Sequence, residues 1–152
     1  MPVTMEQIKQ LREKTGAGVM DAKKALESAG GDMKKAEVWM AKKGLAKADS
    51  KAGRETQQGA VVSYIHHDHQ SGAMVKLLCE TDFVARTDEF KQLAREIAMQ
   101  VVSMQPTDVP DLLKQEYVRD PGITIEILIK QTAGKVGENI RLADFTMLSV
   151  NR

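Results

Sequence analysis

The chain has 152 residues, 42% of them hydrophobic and 28% charged, which suffices for one compact domain or for a small and a larger one. No run approaches the roughly 18 apolar residues of a membrane span, and the first six residues lack the basic and apolar regions of a secretory signal. A single cysteine cannot form an internal disulfide. The sequence therefore predicts a soluble, cytoplasmic protein.

Charge is distributed unevenly although the formal net charge is only +1. Residues 1–54 carry 12 basic and 7 acidic side chains, whereas residues 55–152 carry 10 and 14. This asymmetry indicates two modules, the first of which would face an acidic surface. A solvated helical surface kept soluble by its lysines explains the same pattern.

The first third of the chain predicts three short helices. Thr4 begins a capping box, and Gly16 ends the first helix through a left-handed residue. A second helix runs from about Met20 to Ala29. Asp32 caps a third, which Gly44 is expected to stop. Because helices of this length do not persist alone, they should pack as a miniature bundle.

After a linker predicted at residues 46–58, the pattern changes to a period of two. Gly59–His66 and Ala73–Leu78 alternate in this way, and the six residues between them make an antiparallel hairpin. An amphipathic helix begins near Asp88 and closes at Gln105. The following residues, 106–116, have a loop-like composition.

The last third contains one ambiguous segment and one strand. Ile123–Lys130 fits a buried strand by its alternating isoleucines and a helix by its spacing of three and four, and propensity alone favours the strand. Ile140–Val150 predicts a final strand with a bulge near Asp144. The order of elements is typical of the α+β class.

The sequence contains only weak indications of catalytic or metal-binding groups. Cys79 with the nearby histidines could form a thiol nucleophile, but a cysteine at a strand end packs well as a small apolar residue. The histidines of the loop His66–His69 are too close in sequence to converge on a metal. Glycines at 16–18 and 134–137 lack the spacing of nucleotide-binding loops. The sequence therefore predicts no enzyme, no cofactor and no metal site.

Nucleic-acid binding is an alternative that the lysine pairs of the bundle leave open. Lys23-Lys24, Lys34-Lys35 and Lys42-Lys43 would release counterions if they shared a face. Trp39 is the only aromatic residue of the bundle, and it is expected in the core rather than on a stacking platform. A protein- or peptide-binding module is a further alternative.

The segment Cys79–Arg86, CETDFVAR, joins an apolar strand to the amphipathic helix, and such a junction lies at the surface. Phe83 on this junction either fills the protein's own core or projects as an anchor for another protein. The segment resembles the signature of the elongation factor Ts family, the guanine-nucleotide exchange factors of the translation GTPase elongation factor Tu. Residues 11–26, LREKTGAGVMDAKKAL, resemble the family's second signature. Tyr117–Pro121 and Gly137–Ile140 also match.

The resemblance implies a fold and two functional surfaces. Residues 1–45 would form a three-helix domain like the ubiquitin-associated domains, and residues 59–152 an α+β core with the order β-β-α-α-β, in which Ile123–Lys130 is a helix. The first domain would dock on the GTPase domain of elongation factor Tu through positions that match Arg12, Val19 and Met20. The residues implicated in displacing the bound Mg²⁺ ion match Thr81, Asp82, Phe83 and Val84. The aromatic ring would enter between two helices and push the phosphate-binding loop away.

The chain also departs from the family pattern. Only about ten residues separate Gln105 from Tyr117, where family members usually carry a much longer insertion, and many also have a coiled-coil protrusion and a second core subdomain. The final strand reads RLADF at 141–145, where the family tends to show paired arginines. Contacts with the other domains of the GTPase are therefore in question. Short family members assemble as dimers, so the resemblance implies a homodimer here.

Overall fold

The computed structural model describes residues 2–151 and contains an N-terminal helical part followed by a mixed core. The helices of this range are α1 (Met5–Thr15), α2 (Val19–Ser28), α3 (Met33–Lys51), α4 (Asp82–Ala85), α5 (Asp88–Met104), α6 (Val109–Lys114) and α7 (Ile125–Val136). The strands are β1 (Gln58–Ile65), β2 (Ser71–Cys79), β3 (Glu116–Tyr117), β4 (Asp120–Thr124) and β5 (Ile140–Ser149). The predicted α+β class is confirmed. None of the described helices combines the length and apolarity that crossing a bilayer requires.

Local capping organises the N-terminal bundle of α1, α2 and α3. The Thr4 hydroxyl accepts from the Gln7 amide at 3.2 Å while the Gln7 side chain accepts from the Thr4 amide at 3.0 Å, and Gly16 ends α1 at φ 71°. The capping box and the left-handed end are thus confirmed. Trp39 is half-buried against the core of the bundle. That core consists of Ile8, Leu11, Ala22, Ala25, Leu26 and Ala36.

Helix α3 is longer than the sequence predicts. Gly44 was expected to stop it and residues 46–58 to form a linker, but α3 continues through Gly44 to Lys51. An interior glycine costs a helix about 1 kcal/mol relative to alanine. The second half of α3 packs along α7 and buries Ala48 in the core, which offsets that cost. The predicted stop is therefore wrong, because tertiary packing outweighs the local preference. The division into two domains stays a prediction.

A three-stranded antiparallel sheet, in the order β1-β2-β5, lies at the centre of the core. The predicted β1–β2 hairpin is confirmed, with Gln58 opposite Cys79 and Ile65 opposite Gly72. On the other edge of β2, the pairing register with β5 shifts so that Ala143 is an extra residue. This is the bulge predicted near Asp144.

Helix α5 covers one face of the sheet and contributes six buried apolar residues to the core. Its buried apolar residues are Phe90, Leu93, Ala94, Ile97, Ala98 and Val101. Its buried polar residue, Gln100, accepts from the Val118 amide at 3.0 Å and donates to the Glu116 carbonyl at 3.0 Å. These bonds hold the β3–β4 hairpin against α5. In the same hairpin, burial and a hydrogen bond to Glu96 raise the pKa of Tyr117.

Helix α6 corrects the prediction of a loop at residues 106–116. The Asp108 carboxylate accepts from the Asp111 amide at 2.8 Å and so caps the helix. Pro110 stands in the first turn, where its missing N–H removes no helical hydrogen bond. Leu112 is fully buried and fixes the helix to the core. The cap and the early proline were present in the sequence as signals for a helix.

Helix α7 resolves the ambiguous isoleucine-rich segment as a helix, as the resemblance implied. The Thr124 hydroxyl caps it by accepting from the Ile127 amide at 3.2 Å. Ile125, Ile129 and Ala133, each four residues from the next, are buried on one face. Helical spacing therefore decides the structure here, although β-branched residues favour strands.

At the crossing of α3 and α7, Gly134 lies directly against the backbone of Gly44. A Cβ atom added at Gly134 would lie 2.6 Å from the Gly44 carbonyl oxygen, which is well inside van der Waals contact. We expect Gly134→Ala to force the helices apart and to lower the free energy of unfolding by about 1–3 kcal/mol. Urea denaturation followed by circular dichroism would measure the change.

Gly44→Ala is the matched control for this crossing. A Cβ added at Gly44 meets nothing within 4 Å, so the substitution improves helix propensity without a clash. It should raise the free energy of unfolding by up to about 1 kcal/mol. Equal effects of the two substitutions would contradict the close crossing.

Candidate functional site

The CETDFVAR segment ends in a short helix that projects Phe83 into solvent. Thr81 caps α4, with its hydroxyl oxygen accepting from the Val84 amide at 3.3 Å. Val84 is buried, whereas Phe83 is 77% exposed. The core-filling alternative for Phe83 is therefore excluded. A large aromatic side chain this exposed is available to a partner, which makes this turn a candidate contact surface.

Two threonines fix α4 between β2 and α5. Thr81 caps its start, and at its end the Thr87 hydroxyl donates to the Val84 carbonyl at 2.7 Å while accepting from the Phe90 amide at 3.2 Å. Asp82 pairs with Arg86 at 2.8 Å across one turn, but both side chains are well exposed. Such a surface pair contributes little stability. The caps and the burial of Val84, rather than this ion pair, therefore hold α4 in the position that projects Phe83 into solvent.

A carboxylate from a distant part of the chain supports the same segment. The Glu138 carboxylate accepts from the Glu80 amide at 3.2 Å, from the Thr81 amide at 3.0 Å and from the Thr81 hydroxyl at 2.7 Å. Glu138 lies within the family match at Gly137–Ile140, which carries no indication of its contact with Thr81. It lies 57 residues from Thr81, so no local periodicity or spacing could signal the contact.

Cys79 occupies the strand end as a buried structural group. Its thiol donates to the Thr81 carbonyl at 3.1 Å. Burial raises the pKa of this thiol, and the carboxylates of Glu138 and Glu80 raise it further. A thiol held in its protonated form is a poor nucleophile, so the packing interpretation accounts for Cys79 better than catalysis does.

The histidine loop and the rest of the described chain offer no grouping suited to a metal. His66 Nδ1 lies 3.0 Å from the Tyr64 hydroxyl, and the His66 and His67 rings are in contact. Within residues 2–151, no group of three or more histidine, cysteine or acidic side chains is placed to hold an ion. The loop is an exposed hairpin tip.

Arg12, Val19 and Met20 surround the turn between α1 and α2. Val19 and Met20 are 43% and 63% exposed in the first turn of α2. Arg12 is exposed at the end of α1, where its Nε donates to the Ala17 carbonyl at 3.2 Å. The structure thus brings these three together on the bundle and Thr81–Val84 together on the core, as two separate sets.

A group of paired charges lies in the bundle beside this turn. Asp21 pairs with Lys43 at 3.0 Å and with Lys47 at 3.3 Å, and these hydrogen bonds hold the pKa of Asp21 below its usual value. A cleft of about 310 Å³ runs from the α1–α2 turn to α7 past these lysines. The bundle therefore presents an apolar pair, Val19 and Met20, next to a basic rim.

Comparison with known proteins identifies the family of this chain. The family model described as Elongation factor TS matches residues 80–152. Elongation factor Ts from Aquifex aeolicus is 48% identical over 95% of this chain and 52% of its own length. The Fervidobacterium nodosum protein of that name is 37% identical over 99% of both chains, and the Thermotoga maritima protein is 39% identical over 99% of this chain and 97% of its own.

These relatives place the chain among the translation elongation factors. With such identity across nearly the whole length of two relatives, the chain belongs to the elongation factor Ts family. It spans about half of the Aquifex protein. The Fervidobacterium match extends over 195 aligned positions, so that relative has at least 43 residues that this 152-residue chain lacks.

Proposed function

We propose that this protein is a guanine-nucleotide exchange factor that binds elongation factor Tu in its GDP-bound form and accelerates the release of GDP. The observation that carries the proposal is Phe83, a 77% exposed aromatic ring on a single helical turn that is capped at both ends. Membership of the elongation factor Ts family supports the identity of the partner.

The proposed mechanism requires no covalent chemistry from this chain. Mg²⁺ bridges the GTPase and the phosphates of its nucleotide, so that displacing the ion weakens GDP retention. Burying the Phe83 ring in the GTPase contributes about 1.5–3 kcal/mol, which helps to offset that disruption. By reciprocity, bound GDP must weaken the binding of this protein. Thr81, Asp82 and Val84 form the turn that presents the ring.

The N-terminal bundle supplies the second contact in this proposal. Val19 and Met20 offer an exposed apolar pair, and Arg12 lies beside them on α1. Once one of the two sites is bound to the partner, the other is held close to it at a high effective concentration. Docking by the bundle would thus hold Phe83 near the nucleotide site while the ring enters it.

Release of a fluorescent GDP analogue from elongation factor Tu tests the proposal. We expect the release rate to rise with the concentration of this protein and then to saturate. Binding without acceleration would contradict exchange and would favour the alternative of a protein-binding module. If the protein does not bind elongation factor Tu at all, the result would favour the alternative of nucleic-acid binding through the lysine pairs.

The family resemblance implies a homodimer, and we further propose that two copies associate through the uncovered face of the sheet. The face opposite α5 carries Val61, Ile65, Met74 and Leu148, all well exposed, and the last of these is 81% exposed. Lys76 and Asp144 lie opposite each other on the same face. An apolar patch with both charges at its border suits a self-complementary contact.

Leu148→Lys tests this association, because a charge at the most exposed residue of the patch should prevent it. We expect sedimentation velocity to give a dimer for the unmodified protein and a monomer for the variant. Val38→Lys, at an exposed position of α3, is the control and should leave the dimer intact. A monomer at tens of micromolar for the unmodified protein would contradict the proposal.

A further inference from the structure

We propose that Glu138 is a positioning residue that holds the turn bearing Phe83 in its projecting geometry, an inference that rests on the proposed function. Glu138 follows α7 directly after its left-handed end at Gly137, φ 78°. This position aims the carboxylate at the end of β2, where it accepts three hydrogen bonds from two consecutive residues, Glu80 and Thr81.

The Thr81 hydroxyl explains why an acceptor is needed at that point. A hydroxyl has one proton to donate and lone pairs with which to accept. The Thr81 hydroxyl donates its proton to Glu138 at 2.7 Å, which leaves its lone pairs to accept the Val84 amide at 3.3 Å and so cap α4. The carboxylate accepts only, and it therefore fixes the hydroxyl in the orientation that the cap requires.

A reciprocal set of bonds ties this contact to the end of α3. The Glu80 carboxylate accepts from the Asn139 amide at 2.9 Å and lies 3.6 Å from Arg54. The Asn139 side-chain amide donates to the carbonyls of Ala52, at 3.2 Å, and Arg54, at 2.8 Å. The residues after α7, the end of α3 and the Phe83 turn thus form one polar cluster.

Helix α4 depends on this support because it is a single turn of four residues. A helix of that length has no stability of its own. Without Glu138, the Thr81 cap loses its orientation and two backbone amides lose their acceptor. The Phe83 ring would then sample many directions, and docking by the bundle would less often bring it to the nucleotide site.

Amide hydrogen exchange by NMR tests the support without any partner protein. In Glu138→Ala, we expect the amides of Glu80 and Thr81 to exchange about tenfold faster or more. The amides of Val75 and Leu77, inside β2, should exchange as before. Glu138→Gln should restore most of the protection, because the amide oxygen can still accept from both backbone groups. Unchanged exchange at Glu80 and Thr81 in Glu138→Ala would overturn the positioning role.

Exchange kinetics on elongation factor Tu test the consequence. For Glu138→Ala, we expect the maximal rate of GDP-analogue release to fall about tenfold. The concentration for half-maximal effect should change little, because the Val19–Met20 contact is retained. Glu138→Gln should recover only part of the rate, because its side-chain NH₂ then faces the Thr81 hydroxyl and cannot accept the hydroxyl proton. Faster amide exchange combined with a normal maximal rate would overturn the role in exchange.

The two measurements separate the failure of this inference from that of the proposed function. If the unmodified protein does not accelerate GDP release, the proposed function fails, and the role of Glu138 in exchange fails with it. The amide data still decide whether Glu138 holds the turn. Glu126→Ala is the matched control: it removes an exposed carboxylate near the other end of α7, roughly 15 Å by helical rise from the end that precedes Glu138, and should change neither measurement.

Discussion

Replacing Phe83 with alanine is expected to remove most of the acceleration of GDP release while leaving the fold unchanged. The ring is 77% exposed, so its loss creates no cavity in the core. Its burial in the GTPase is worth about 1.5–3 kcal/mol, which corresponds to roughly a ten- to hundredfold loss in release rate. The measurement is the release of a fluorescent GDP analogue at a fixed concentration of this protein, together with thermal unfolding to show that the fold is retained.

Met104→Ala is the matched control for the Phe83 substitution. Met104 is an exposed apolar residue at the last position of α5, some 24 Å by helical rise from the end of that helix that adjoins α4. It removes similar apolar surface without touching the Phe83 turn, so release should stay at the unmodified rate. If Phe83→Ala accelerates release as well as the unmodified protein does, insertion of the ring is the wrong mechanism.

Replacing Phe90 with alanine, unlike replacing Phe83, should greatly lower the stability of the fold. Phe90 is fully buried beneath the sheet, only seven residues from Phe83. Truncating a buried phenylalanine removes its packing and leaves a cavity, which costs about 3–5 kcal/mol. For a chain of this size, that corresponds to a fall of the unfolding temperature by about 10 °C or more. Calorimetry or urea denaturation would measure the change.

Phe90→Leu provides the control, because it keeps most of the apolar volume. We expect it to cost less than half as much as the alanine substitution. A cost below about 1 kcal/mol for Phe90→Ala would mean that the site collapses around the cavity or is solvated in the folded protein. The pair Phe83 and Phe90 thus separates the contribution of one aromatic residue to partner binding from that of another to folding.

The sequence by itself determined the features that depend on neighbouring residues. The capping box at Thr4, the left-handed end at Gly16 and the apolar stripe of α5 each follow from groups within one or two helical turns, and the structure contains all three. The signature at 79–86 indicated the family and the candidate site residues for the same reason, since it is a continuous stretch. The helix at 109–114 was missed although its signals, Asp108 and Pro110, were local.

Only the tertiary structure decided which segments pack together, which side chains are exposed and which form hydrogen bonds with residues far away in the sequence. Helix α3 passes Gly44 because α7 packs against its second half, a contact between segments some 90 residues apart. Phe83 projects, and Phe90 is buried, because of where α4 and α5 meet the sheet. The contact of Glu138 with Thr81 depends on bringing the end of α7 to the end of β2. Long-range hydrogen bonds and the exposure of a side chain on a short connection are properties of the packed chain, and local periodicity carries no information about them.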